Sequence, residues 1–140
     1  MQKKAKSIYD ETEKKIEHFN NLQKDNSNQY ERTNNDKAYI SRQKEIAPIM
    51  EEAFTSAETK LKQLGNPPNE QSKRLFNAII EYNNSRREGF WIFLKDFQNV
   101  SENALSITLL NQLRNNANKV KDTVEKNKET VEQLFTEAGL

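Results

Sequence analysis

The chain has 140 residues, enough for a single domain with its own core, and its 22 basic and 21 acidic side chains leave a net charge of +1. Hydrophobic residues make up 34% and charged residues 31%, the balance of narrow apolar stripes on charged helices rather than of a thick α/β core. Three glycines, three prolines and no cysteine disfavour a turn-rich β fold, disulfides and thiolate metal sites, and the even charge supplies no basic footprint for nucleic acid.

Apolar residues at spacings of three and four mark each helix in turn. The first stripe is Ala5, Tyr9, Thr12, Ile16 and Phe19, then Tyr30, and it predicts a helix over about 5–32. Thr33-Asn34-Asn35-Asp36 follows, a plausible turn because Asn and Asp tolerate left-handed backbone and cap helices. A second stripe, Tyr39, Ile46, Met50, Ala53, Ala57 and Leu64, with Ile49, Phe54 and Leu61 beside it, predicts a helix over 37–64. Pro48 falls inside it and predicts a kink or a helix start there. Gly65-Asn66-Pro67-Pro68 is the strongest break, since Gly ends a helix and Pro opens one.

The third helix is expected over 69–98 on Phe76, Ile79, Tyr82, Phe90, Phe93 and Phe97. The fourth is expected over 102–138. It carries a heptad seam of Leu110, Leu113, Ala117, Val120, Val124, Asn127, Val131, Leu134 and Ala138, with Ser101 as N-cap and Gly139 as stop. Residues 5–64 as one helix would run about 90 Å, while the next helix returns only about 45 Å and would strand the first thirty residues without a core. Doubling back at 33–36 removes that conflict. The expected fold is therefore all-α, an antiparallel four-helix up-down bundle in one domain over 1–140. The alternative is a three-helix bundle with a long bent N-terminal helix that pairs with a second chain. No stretch of 18 apolar residues exists, so no membrane span is expected, and the basic start Lys3-Lys4-Ala5-Lys6 lacks the apolar run of a signal peptide.

Catalytic chemistry finds no foothold. His18 is the lone histidine and neighbours Glu17 on a polar face, which reads as a solvated side chain. Di-iron bundles need two Glu-x-x-His motifs, and nucleophilic catalysis lacks both cysteine and a histidine in context. Gly65, Gly89 and Gly139 are too scattered to cradle phosphate. The acidic groups Asp10-Glu11-Glu13 and Glu51-Glu52 lie among lysines at helical spacing and read as surface ion pairs. No enzyme activity, metal or cofactor is expected.

The most informative segment is Arg86-Arg87-Glu88-Gly89-Phe90-Trp91-Ile92-Phe93-Leu94. A helix buried on one side is apolar along one stripe, yet 90–94 is apolar all round. Either the turn is enclosed by the bundle or one face is a patch for a partner. Phe90, Phe93 and Phe97 match the core seam. Trp91 and Ile92 are the surplus, and with Arg86 and Arg87 they form the expected partner-binding set. Gly89 would allow close helix approach. The expected function is a non-enzymatic interaction module that binds a protein partner near 89–94. Alternatives are a small-ligand binder with Tyr82, Arg86 or Trp91 lining an interhelical pocket, or a self-associating coiled coil. Gln23, Asn26, Gln43 and Asn127 interrupt the seams; they either face water at the bundle ends or set register.

The stretch Phe76-Asn77-Ala78-Ile79-Ile80-Glu81-Tyr82-Asn83 through Phe97, with the ending Leu134-Phe135-Thr136-Glu137-Ala138-Gly139-Leu140 and 18 asparagines in all, resembles helical ectodomains of low-GC Gram-positive surface lipoproteins. The resemblance implies an extracytoplasmic location; without it the chain is expected in the cytoplasm.

Overall fold

The computed structural model describes residues 1–98, 111, 112, 115 and 118–140, with side chains described up to residue 90 in the first of these stretches. Among the described residues the protein is all-helical: α1 (Gln2–Thr33), α2 (Asp36–Gln63), α3 (Glu70–Gln98) and α4 (Lys121–Glu137). Local chemistry explains the ends. Asn34 closes α1 in the left-handed region at φ 49°, and its N–H donates to the Tyr30 carbonyl. Asn35 then caps α2, its side-chain oxygen accepting from the Ala38 N–H at 3.1 Å. Asn69 does the same for α3, accepting from the Ser72 N–H at 2.8 Å. The expected turn at 33–36 is thus built from two asparagines with opposite backbone conformations and needs no glycine.

Cross-helix pairs reveal the topology. Between α1 and α2 the pairs Glu11–Lys60, Lys15–Glu52 and Asn26–Gln43 run with one index rising as the other falls, which makes this hairpin antiparallel. Between α1 and α3 the pairs Tyr9–Tyr82, Glu13–Arg86 and Phe19–Phe90 rise together, so these helices run parallel. Asn127 meets Ser85, and Val120 meets Gly89, which returns α4 antiparallel to α3. The result is an up-down-up-down four-helix bundle in which α1 pairs chiefly with α2 and α3 with α4.

The core forms two stacked clusters. One joins the start of α1, the end of α2, the start of α3 and the end of α4 through Ala5, Tyr9, Leu61, Leu75, Ile79, Val131 and Phe135. The other, toward the α1–α2 turn, joins Phe19, Ile46, Phe54 and Phe90. Ile40, Ile79 and Val131 are fully buried, and removing two or three carbons from such a side chain costs about 2–5 kcal/mol.

Two expectations are refined. Of the kink or helix start expected at Pro48, the start does not occur: α2 continues through Pro48. Pro48 and Lys44 are both exposed, so the Lys44 carbonyl, which a proline cannot pair, falls on the solvent side of the helix. The fourth helix, expected over 102–138, is described as Lys121–Glu137 behind a turn at 119–120, and residues 111, 112, 115 and 118 ahead of that turn are helical too. Asparagine favours competing local hydrogen bonds over helix interiors, and Asn118 sits just before this turn. Leu110, Leu113 and Ala117 of the expected seam lie outside the described residues.

Candidate functional site

The middle turns of α3 contact the other three helices by successive positions around one helix. Arg86 reaches α1, where Nη1 donates to Glu13. Arg87 reaches α2, pairing with Glu51 and, at 3.2 Å, with Glu58. Gly89 faces the entrance to α4: a Cβ there would lie 2.6 Å from Val120 Cγ2, so only glycine admits this approach. Phe90 meets Phe19 of α1 edge to face, with ring centroids 5.7 Å apart.

Arg86 is the least expected of these. Its side chain is 9% exposed, whereas Glu13 is 35% exposed. Nη2 donates to Asn83 Oδ1 at 2.7 Å, and the guanidinium lies 3.8 Å from the Tyr82 ring centroid, a cation–π contact. Nε has no hydrogen-bond partner among the described residues. A buried charge is tolerated only when paired and hydrogen-bonded, and Glu13 and Asn83 supply most of that here. Burial pushes the Tyr9 hydroxyl well above its ordinary range, and the nearby Glu13 carboxylate adds to this. Tyr82 is raised too, again chiefly by burial, with Arg86 opposing.

Next to Arg86 an open cleft of about 510 Å³ separates α1, α3 and the start of α4. Phe19, Met50, Phe90, Val120 and Val124 form its apolar walls, Asn20, Gln23 and Asn118 add carboxamides, and Arg86 and Lys121 bring positive charge. That volume lies within the ~300–1,000 Å³ range of ligand pockets.

The structure brings Arg86 and Arg87 together with α1 and α2 rather than with solvent, as interhelical ion pairs. The Trp91 and Ile92 side chains lie outside those described. Tyr82 is buried at the Tyr9 contact. Of the polar seam residues, Asn26 and Gln43 are buried and joined by a 3.0 Å hydrogen bond between α1 and α2, so they set register. Asn127 donates to Ser85 Oγ at 3.2 Å, tying α4 to α3. Gln23 is half-buried on the cleft wall. His18 is exposed. Among the described residues no group of three or more His, Asp or Glu is placed to hold a metal ion, and no helix is long and apolar enough to cross a membrane. The sequence signalled the cleft in one place, the mid-helix Gly89. Glu13 as the Arg86 partner left no local signal, being 73 residues away.

Comparison with known proteins adds no relative: no family model, no curated protein and no solved structure matches the chain.

Proposed function

We propose that the protein is a non-enzymatic helical interaction module that binds a protein partner through the turn of α3 at 89–94. One observation carries this reading. Asn77, Glu81, Asn84 and Glu88 are all exposed and follow one another at spacings of four and three, so they trace the solvent line of α3. The same spacing carries the line on to positions 91 and 92, where the sequence changes from polar to Trp and Ile. A helix line whose polar residues give way in sequence to an aromatic and an aliphatic one has the composition of a binding hot spot. The ion pairs of Arg86 and Arg87 then serve to hold this stretch of α3 rigidly against α1 and α2. The resemblance to surface-lipoprotein ectodomains supports an extracytoplasmic location for the module in this proposal.

A photoreactive amino acid at Glu88 should crosslink a partner in cells, and the same group at Lys44 on α2 should not. The Trp91→Ser, Ile92→Asn double variant should retain its thermal midpoint and lose the crosslink. Unfolding of that variant, or equal crosslinking from both positions, removes the reading. Crosslinking to a second copy, with a dimer mass in light scattering, moves the function to self-association.

The cleft beside Arg86 favours a second reading, a small-ligand site between helices. Its volume and its apolar walls, with a few polar groups among them, match such sites.

A further inference from the structure

We infer that a cavity between the end of α1 and the start of α2 binds a neutral sugar ring, at a site separate from the turn at 89–94 and from the cleft beside Arg86. It holds about 360 Å³, within the ~300–1,000 Å³ range of ligand sites. α3 ends at Gln98, eight residues past the Phe19–Phe90 contact, so the tip of the α1–α2 hairpin runs on beyond it. Among the described residues this hairpin alone lines the cavity. Tyr30 and Tyr39 supply two rings, 4.9 Å apart between centroids and tilted by 45°. The Tyr30 hydroxyl donates to Asp36 at 2.8 Å, which holds that ring in place. Aromatic faces of this kind pack on the C–H face of a sugar, an apolar surface edged by hydroxyls.

Asn26 is the buried polar anchor. It is 8% exposed, and its Nδ2 donates to the Tyr39 carbonyl at 3.1 Å and to Gln43 Oε1 at 3.0 Å. A backbone carbonyl only accepts, so it fixes which end of the amide is which. Asn26 Oδ1 then receives no donor among the described residues. The enclosed side-chain atoms without a partner there are Glu51 Oε2 and Arg86 Nε. Asn26 Oδ1 is not one of them, so it keeps open surface, and Asn26 lines this cavity. Around it Asp25 adds acceptors, Arg42 adds donors and Gln29 adds both. Hydroxyls donate and accept, so a mixed set matches them where a set of one kind would not. Charge excludes ions: Asp25 opposes an anion and Arg42 a cation.

Amide chemical shifts of the intact chain, followed by NMR, test this with glucose, galactose and N-acetylglucosamine as ligands and cyclohexanol and glucose 6-phosphate as controls. At least one of the sugars should shift amides within 22–42 saturably, with a Kd of about 1–10 mM for so small and so hydrated a ligand. Cyclohexanol keeps a ring but lacks the hydroxyl array, and should bind at least about fivefold more weakly; glucose 6-phosphate should bind no tighter than glucose. Asp25→Asn should weaken the sugar by about two- to fivefold. Ala38→Arg, at an exposed lining position, should block the cavity and abolish binding, with Gln29→Trp in its place where that variant loses its thermal midpoint. The inference is overturned by any of four results: no saturable shift from the three sugars, shifts centred outside 22–42, either control binding tighter than the sugars, or binding that survives the blocked cavity.

Discussion

Neutralising Glu13 separates a structural role for Arg86 from a decorative one. In Glu13→Gln the side-chain length is kept, but the buried guanidinium loses its carboxylate. Hydrogen bonds to charged groups are worth about 1.5–3 kcal/mol. Glu13 is 35% exposed, so water compensates part of the loss, and about 2 kcal/mol is expected. At roughly 3 °C per kcal/mol for a chain of this size, the thermal midpoint should fall by about 6 °C. Arg86→Met keeps an aliphatic side chain but removes the cation–π contact with Tyr82 and the bond to Asn83; about 2–3 kcal/mol should be lost. The double variant should cost less than the two singles together by about 1–2 kcal/mol, because the second change removes a charge already left unpaired. Urea unfolding of the four proteins measures this coupling. Additivity within about 0.3 kcal/mol would refute the view that the pair acts as one unit across α1 and α3.

Two further outcomes follow from the same region. Burial raises the Tyr9 and Tyr82 hydroxyls above the ordinary 10.0, so the unfolded chain loses these protons first as pH rises. Their contribution is fully present below pH 10 and declines above it, at up to about 1.4 kcal/mol per pH unit for each group. Tyr9→Phe should make the alkaline fall of the urea midpoint shallower; tyrosinate absorbance that completes its rise while circular dichroism stays native would contradict this. Gly89→Ala should forgo the ~1 kcal/mol that alanine normally adds inside a helix, because the new methyl meets Val120 Cγ2. Adding Val120→Ala should recover it, so a Gly89→Ala protein already stabilised by the full amount, measured by urea midpoint, would sink the close-approach argument.

Much of the fold lay open in the linear chain. Apolar residues at helical spacing, the Asn34-Asn35 turn and the Gly65–Pro68 break are local signals, and the length argument on residues 5–64 turned them into four helices rather than three. Capping and periodicity act over a few residues, so a reader of the sequence can recover them. The turn at 119–120 was not recoverable, since the heptad seam runs through it unchanged and Asn118 is only one of 18 asparagines in the chain.

The candidate site divides the same way. The sequence by itself determined that Arg86 through Phe90 is an unusual stretch, that Gly89 permits close approach, and that His18, the scattered glycines and the lysine-flanked carboxylates assemble no recognisable catalytic motif. Only the tertiary structure decided what the arginines do. Arg86 and Arg87 are adjacent in the chain, yet a helix turns them toward different neighbours, Glu13 on α1 and Glu51 on α2. Burial, and with it the raised tyrosines and the unspent Nε, depends on which helices close around α3. That packing comes from partners many residues away, and no local pattern encodes it.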